Sequence, residues 1–336
     1  MRKNRLIFIF LLIVSGIVLF VNHKRYYSFE LQQLIAFDIS KNSFNRSFNF
    51  INAIDDNYPS LNIYAMPLKA IKANYLLAKD SVDLAMKLID QSLEDNPYLF
   101  YGENLLADIN YKLQDFEKFE YYARKAYNGL PNNPVHLVYM SRVYKMQDKI
   151  DSIFYIFEQS KPVVADRDFQ LWNIALSSIV LDSALINKYD GKKIAKEALS
   201  FHPTNQNLKL MHDYIIYGYE NVLNAMEKYE DGMSFFQQGE NDKGIRLLKE
   251  AAALHPNSQL YTDNLIIAYH NKSDFFEIAN YYESYFKIFD ETSYQILYFF
   301  GNALYKTGSI SRSCLIFNSL NDQKFQIDKT VFPNCF

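Results

Sequence analysis

The chain has 336 residues, of which 49% are hydrophobic and 22% are charged, and its formal net charge is −3 at pH 7. This balance is typical of a folded protein and excludes long disordered stretches, while the weak net charge argues against a nucleic-acid partner. With 27 Tyr and 27 Phe but only 10 Gly and 9 Pro, the chain has too few turn residues for many short strands, which favours helices joined by short loops.

The N-terminus begins with a basic segment, which is followed by an uncharged apolar run from Leu6 to Val21. As a helix this run is about 24 Å long, short for a membrane span, but Lys24 can extend it and Tyr26 and Tyr27 suit an interfacial aromatic belt. We therefore predict an uncleaved single-pass anchor over residues 1–27. A cleaved signal peptide, for which no small-residue cleavage site follows, and a buried core helix are the alternatives.

The charges that flank the apolar run indicate its orientation. Arg2, Lys3 and Arg5 precede the run, and Lys24 and Arg25 follow it, so the positive-inside rule favours a cytoplasmic N-terminus by one charge. The abundance of Asn, Lys, Ile, Phe and Tyr suggests an AT-rich bacterial genome. We expect a protein of the bacterial inner membrane with the rest of the chain in the periplasm.

The remainder of the chain carries an internal repeat. Pro97 and Pro131 are 34 residues apart, a period typical of stacked helical hairpins. Between them lie, in order, small and apolar residues for close helix packing, a polar turn and a further small residue: Leu106-Ala107, Gln114-Asp115 and Ala126.

Two glycine pairs repeat this arrangement nearer the C-terminus. Gly232 and Gly239 have the same spacing as Gly301 and Gly308, and the two pairs lie about two periods apart. In each pair the first glycine predicts a close approach of two helices, and the second predicts the turn between them. One further hairpin must therefore lie between the pairs.

This order of residues resembles the tetratricopeptide repeat family. The resemblance covers roughly Tyr64 to Leu320, about six units, and implies an all-α fold, a right-handed superhelical solenoid of helical hairpins preceded by one transmembrane helix. Sel1-like and other hairpin solenoids are the alternative. We expect atypical capping helices over residues 28–63, the solenoid over residues 64–322 and a C-terminal tail over residues 323–336. An extra helix is expected near residues 206–223, because the interval between Pro203 and Pro256 exceeds one period.

The search for chemical motifs yields no catalytic, cofactor-binding or metal-binding residues, and we expect none. Glycine-rich phosphate loops and HExxH are absent from the sequence, and the six histidines are scattered without ligand spacing, which favours loop residues. Cys314 and Cys335 lack metal-ligand spacing. They leave open a disulfide in a periplasmic domain, or a small buried hydrophobic residue at Cys314.

The resemblance also implies a binding surface, since in this family the first helix of each unit lines a concave groove for peptides or partner helices. Where the motif aligns, the implied groove residues are Tyr101, Asn104, Asp108 and Tyr111, then Val138, Arg142 and Lys145, and finally Tyr298, Asn302 and Tyr305. A solvated face without a partner is the alternative. A carboxylate clamp is not expected, because only Asn74 matches its pattern.

Anchor and solenoid together predict a non-catalytic, membrane-tethered scaffold that binds unknown protein partners, for example in envelope, polysaccharide or secretion machinery. One alternative is an enzyme or accessory protein in which the interrupted region from Leu208 to Leu223 shapes a glycan or lipid pocket. A structural spacer is the other. An organised groove would favour the scaffold, and a deep polar cavity would favour the enzyme.

Overall fold

The computed structural model describes residues 2–41, 43–54, 56, 60–62, 64–164, 168–289 and 291–336. Within these ranges there are eighteen helices, and the only β-type pairing is an isolated bridge between Leu61 and Pro67. The chain divides into two compact units, Met1–Ala175 and Leu176–Phe336. The predicted all-α array of helical hairpins is confirmed.

Unit 1 contains three consecutive helical hairpins, α3 with α4, α5 with α6 and α7 with α8, preceded by the long N-terminal helix. Its helices are α1 (Arg2–Ser40), α2 (Phe48–Asn52), α3 (Leu68–Leu77), α4 (Val82–Ser92), α5 (Tyr101–Lys112), α6 (Phe116–Gly129), α7 (Pro134–Met146), α8 (Ile150–Val164) and α9 (Phe169–Ser177), the last of which ends just inside unit 2.

Unit 2 ends in three further hairpins, α13 with α14, α15 with α16 and α17 with α18. Its helices are α10 (Ser183–Lys188), α11 (Gly191–Phe201), α12 (Gln206–Tyr217), α13 (Tyr219–Gln237), α14 (Asn241–Leu254), α15 (Gln259–Asn271), α16 (Phe275–Ile288), α17 (Tyr294–Lys306) and α18 (Ile310–Asp322). The region of the expected extra helix contains all of α12, a break at Gly218 and the start of α13.

The turn inside each of these six hairpins is built in the same way. One residue adopts a left-handed conformation, with φ between 53° and 89°, at Asp80, Gln114, Asp148, Gly239, Ser273 and Gly308. In the turn after α5, the Gln114 amide donates to the Tyr111 carbonyl and the Asp115 amide to the Asn110 carbonyl. This pair of bonds satisfies the last carbonyls of the helix, and its recurrence at the tetratricopeptide period marks each hairpin.

Close packing within the hairpins depends on small residues. A side chain at Gly232 would place its Cβ 3.1 Å from the Gly244 carbonyl oxygen, and one at Gly244 would lie 2.9 Å from the Gly232 oxygen. At Gly301 a Cβ would lie 2.7 Å from the ring of Phe317. The close approach predicted at Gly232 and Gly301 is therefore present, and buried aromatic and aliphatic side chains fill the space around it.

The helix α1 is continuous over 39 residues, so the expected boundary at residue 27 lies inside it. Its side chains from Phe8 to Phe20 are exposed, as at Phe8 (63%) and Leu19 (70%), which does not fit a buried core helix. Residues Phe8–Ile39 are long and apolar enough to cross a membrane, a property that signal sequences share. In the second half, Leu31 and Ile35 are buried against α3 at Ile71 and Tyr75 and help to form the core of unit 1.

The segment expected to be a C-terminal tail folds back onto the last hairpin. Phe332 is fully buried against the ring of Phe317, with 4.2 Å between the ring centroids. A disulfide joins Cys314 of α18 to Cys335. The disulfide that the sequence left open is therefore present, and residues 323–336 cap the end of unit 2.

Candidate partner-binding face

Four of the expected groove residues form one stripe along α5. Tyr101, Asn104, Asp108 and Tyr111 follow each other at helical spacing, and all but Asn104 are at least partly exposed. The Tyr101 hydroxyl accepts a 3.5 Å hydrogen bond from the Asn74 side chain of α3. The stripe on α5 is thereby connected to the first helix of the preceding hairpin.

Arg142 of α7 connects this stripe on α5 to α9. Its guanidinium carbon lies 5.1 Å from the ring centroid of Tyr111 and 5.5 Å from that of Tyr139, within the range of cation–π attraction. One of its terminal nitrogens donates a 2.7 Å hydrogen bond to Gln170 of α9. Because arginine presents several donors in a rigid fork, the guanidinium can hold these three contacts and still meet a ligand.

The electrostatic environment of this region is mixed. Burial, followed by the negative charge of Asp108, raises the pKa of Tyr139, so its hydroxyl stays protonated. Asp108 also forms a 2.6 Å ion pair with Lys112. Partial burial lowers the pKa of Lys145 from its usual range. The region therefore carries one carboxylate, Asp108, two basic side chains, Arg142 and Lys145, and tyrosine hydroxyls.

Asn104 and Asn302 occupy the same kind of position in different units, and both are 9% exposed. In each of them the side-chain carbonyl oxygen is buried and has no hydrogen-bond partner among the described residues. An unpaired buried acceptor is costly, so such an oxygen is suited to accept a donor from a bound chain or water. The Asn302 amide nitrogen lies 3.3 Å from His270 Nε2.

The unit 2 residues expected in the groove have a different environment. Tyr298 contacts the rings of Phe325 and Phe332, and Tyr305 contacts Phe332 at a centroid distance of 5.2 Å. The Tyr305 hydroxyl also accepts a 3.2 Å hydrogen bond from Asn334. The chain's own C-terminal segment therefore covers part of this face, and only the unit 1 residues form an open ladder.

Sequence reasoning missed two members of the unit 1 ladder, Tyr139 and Gln170. It selected Val138 instead, which is 3% exposed and belongs to the core. Tyr139 directly follows Val138 in the sequence. The aromatic residue beside the aliphatic one was the signal that could have identified Tyr139 as the ladder residue. No sequence signal pointed to Gln170, because the segment around it has no clear repeat motif.

The interpretation of the histidines as loop residues is confirmed for His202 and His255, which lie between helices, and is wrong for four that lie within helices: His23, His136, His212 and His270. His136 lies within α7, is fully buried, and its Nδ1 is 3.0 Å from the Leu130 carbonyl oxygen. His255 is 7% exposed, and its Nε2 lies 2.9 Å from Asp213. Across the described ranges no group of three or more His, Cys, Asp or Glu could hold a metal ion.

The interrupted region of unit 2 contains a pocket of about 740 Å³. Aromatic, amide and charged side chains line it, among them Asn187, Lys192, Tyr214, Tyr219 and Asn221. Tyr214 and Tyr219 contact each other edge to face at 4.9 Å on either side of Gly218. A pocket is therefore present where the alternative interpretation of the sequence expects one.

Comparison with known proteins gives similarity in fold. No family model matches the sequence, and no curated protein does. Among solved structures, the chain is similar to a tetratricopeptide repeat protein from Parabacteroides merdae, with 11% identity and a TM-score of 0.39 over 80% of this chain and 95% of that one. It is also similar to a chain of the APC/C Cut9–Hcn1 hetero-tetramer, with 12% identity and a TM-score of 0.36 over 82% of this chain and 56% of that one.

Proposed function

We propose that this protein, an all-α solenoid of tetratricopeptide-like hairpins, is a non-catalytic scaffold that binds a segment of a partner protein on the ladder of unit 1. The ladder comprises Asn74, Tyr101, Asn104, Asp108, Tyr111, Tyr139, Arg142, Lys145 and Gln170. The contact of Arg142 with residues of α5, of α7 itself and of α9 carries the proposal, because such a contact organises one surface across these helices.

The chemistry of the ladder suits an extended or helical protein segment. Half-exposed tyrosines supply rigid apolar area with a hydroxyl, and an arginine stacked on them is a residue type enriched among binding hot spots. The buried oxygen of Asn104 can accept one backbone N–H of the segment. Asp108, Arg142 and Lys145 offer both signs of charge, so the partner segment should carry both as well.

The apolar half of α1 supports a further part of the proposal, that the scaffold is tethered to a membrane. Its side chains from Phe8 to Phe20 are mostly exposed, and burial of this surface in lipid would remove it from water. The basic residues before the apolar run outnumber those after it by one, which favours a cytoplasmic N-terminus, and we propose that the solenoid lies on the periplasmic side of a bacterial inner membrane. The function would then be to hold envelope proteins, such as those of polysaccharide or secretion machinery, near that membrane.

The proposal can be tested with photo-crosslinking amino acids in native membranes. One is placed at Tyr111, which is 38% exposed on the ladder, and the control is placed at Tyr121, which is 61% exposed on the second helix of the same hairpin. We expect a defined protein adduct from position 111 and none from position 121. Arg142→Ala should weaken the adduct about tenfold, a typical loss for a hot-spot arginine.

Two outcomes would count against the ladder. Equal adducts from positions 111 and 121 would show that binding is not confined to this face. An absence of adducts at position 111 and also at Lys145 would favour a structural spacer. Circular dichroism of each variant should match that of the unmodified protein, so that a loss of adduct reports binding and not unfolding.

A second candidate function rests on the pocket beside Gly218. Its tyrosines and amides are side chains that can stack on and hydrogen-bond to a sugar, so unit 2 could bind a glycan. Titration with glycan fragments, followed by the chemical shifts of Tyr214 and Tyr219, would test this function. Shifts that also occur in an Asn187→Ala, Asn221→Ala variant would place the ligand elsewhere.

A further inference from the structure

A second pocket lies in unit 1, between the second half of α1 and the start of the ladder. Its volume is about 750 Å³, within the usual range for ligand pockets. The helix α1 supplies one wall, α3 and Tyr101 of α5 supply another, and Asn62, Tyr64 and Met66 complete it. The lining residues are Phe29, Gln32, Gln33, Leu34, Phe37, Ile39, Asn62, Tyr64, Met66, Ile71 and Tyr101.

No charged side chain is present among these lining residues. Two of the polar side chains already have partners within the chain. The Asn62 side-chain oxygen accepts from the amides of Tyr64 and Met66, each at 2.9 Å, and the Gln32 side chain donates to Ser28 at 3.0 Å. A peptide backbone would bring N–H and C=O groups that require partners, whereas a hydrocarbon chain requires none.

The walls retain exposed apolar surface. Leu34 is 40% exposed, Phe37 59% and Tyr64 64%. Leu34 and Phe37 lie on α1, the helix that also contains the apolar run ending at Val21. Because a helix rises 1.5 Å per residue, Phe29 lies about 12 Å beyond Val21, close to the outer edge of the headgroup layer of a bilayer that contains the run.

A basic residue stands between the apolar run and the pocket. Arg25 is exposed and lies one helical turn before Phe29, on the same stripe of α1. At this height it can pair with a lipid phosphate, for which a guanidinium is well suited. The charge of the site is thus confined to its membrane end, and its interior is uncharged.

We propose that this pocket binds one acyl chain of an anionic phospholipid from the adjacent leaflet, with the phosphate held at Arg25 and the chain between α1 and α3. The inference rests on the membrane anchor of the proposed function. It gives the second half of α1 a function beyond tethering: the bound lipid fixes the position of the first hairpin, and with it Tyr101, relative to the membrane.

The test uses the full-length protein in vesicles of phosphatidylglycerol and phosphatidylethanolamine that contain a phospholipid with a photoactivatable group near the end of one acyl chain. Labelled peptides are mapped by mass spectrometry. We expect label in the apolar run and also in residues 29–39 and 64–71. Leu34→Glu places a carboxylate in the pocket and should reduce the pocket label about tenfold, because burying that charge is unfavourable.

Leu84→Glu is the matched control, since Leu84 lies on α4 away from the pocket and is also 40% exposed. It should leave both labels unchanged. Tyr64→Glu approaches the pocket from the opposite wall and should repeat the effect of Leu34→Glu without altering α1. Circular dichroism confirms that each variant keeps its helicity.

The outcomes separate this inference from the proposal on which it rests. Label in the apolar run without label in the pocket overturns the lipid site and leaves the anchor intact, as does pocket label that persists in both Leu34→Glu and Tyr64→Glu. An adduct of the pocket with a protein in native membranes, in place of lipid, overturns it in favour of a peptide occupant. Absence of label even from the apolar run refutes the anchor and the lipid site together.

Discussion

At the scale of single residues, the hairpins of this protein repeat a strained conformation more faithfully than they repeat a residue type. The left-handed position of the turn is glycine in two hairpins but Asp80, Gln114, Asp148 and Ser273 in the others. A residue with a side chain loses about 1–2 kcal/mol there relative to glycine, and packing of the hairpin offsets the loss. The sequence motif is degenerate for this reason, although the backbone is regular.

Gly239→Ala isolates this backbone effect. A Cβ at Gly239 would have no atom within 4 Å, so the variant changes the conformational preference and no packing contact. We expect it to lower the free energy of unfolding by about 1 kcal/mol. Urea unfolding of the full-length protein in detergent measures the change.

Ser273→Ala is the matched control, because the position has the same conformation and already carries a side chain. It should change the midpoint of urea unfolding little. An equal loss in both variants would mean that the turn conformation does not account for the effect at Gly239.

At the scale of elements, the two ends of the chain depart most from a regular repeat. From Phe8 onward the helix α1 is long and apolar enough to cross a membrane, whereas its second half belongs to the core of unit 1. The final segment covers Tyr298 and Tyr305 and is linked to α18 by the disulfide. Terminal repeats need such covers because no neighbouring hairpin buries their apolar faces.

The packing of α1 predicts where the chain can be cut. A fragment that begins at residue 28 keeps Leu31, Ile35 and the hydrogen bond from the Tyr75 hydroxyl to Asp38. A fragment that begins at residue 43 loses Leu31, Ile35 and Asp38, and it exposes Ile71. We expect the first fragment to be folded and the second to aggregate or to unfold at lower temperature, as measured by circular dichroism and light scattering. Equal melting temperatures would contradict the packing of α1 on α3.

The disulfide predicts a local change in stability. It closes a loop with a sequence separation of 21 residues, for which loss of the bond costs about 3 kcal/mol in the chain-entropy model. Cys335→Ser should therefore increase hydrogen exchange in residues 323–336 and in α18, and leave α5 unchanged. Reduction of the unmodified protein should reproduce the pattern. Hydrogen exchange that is the same before and after reduction would show that the contacts of Phe332 hold the segment in place without the disulfide.

At the scale of the whole molecule, each unit contains a fully or partly buried histidine whose titration couples stability to pH. Burial lowers the pKa of His136 in unit 1, against weaker opposing effects of the Leu130 and Ala126 carbonyls and Glu103. Burial also lowers the pKa of His270 in unit 2. A lowered pKa means that the unfolded chain binds the proton more tightly than the folded chain does.

This difference predicts lower stability in acid. The contribution of both histidines is fully present above the unfolded histidine pKa of about 6.5 and is lost as the pH falls from there toward their folded pKa values. We expect the melting temperature to fall between pH 7.5 and pH 5.5, and to fall less in His136→Gln, His270→Gln. A fall of the same size in that variant would assign the acid sensitivity to other groups.

The sequence by itself determined the features that depend on neighbouring residues: the helices, the 34-residue period and the turns, since capping and hydrophobic periodicity act over a few positions. Only the tertiary structure decided which side chains meet. Arg142 contacts Tyr111 and Gln170 across three helices, the C-terminal segment covers Tyr298, and α1 forms a pocket with Ile71. These contacts join residues far apart in the chain, and they depend on how successive hairpins pack, which a local pattern does not specify.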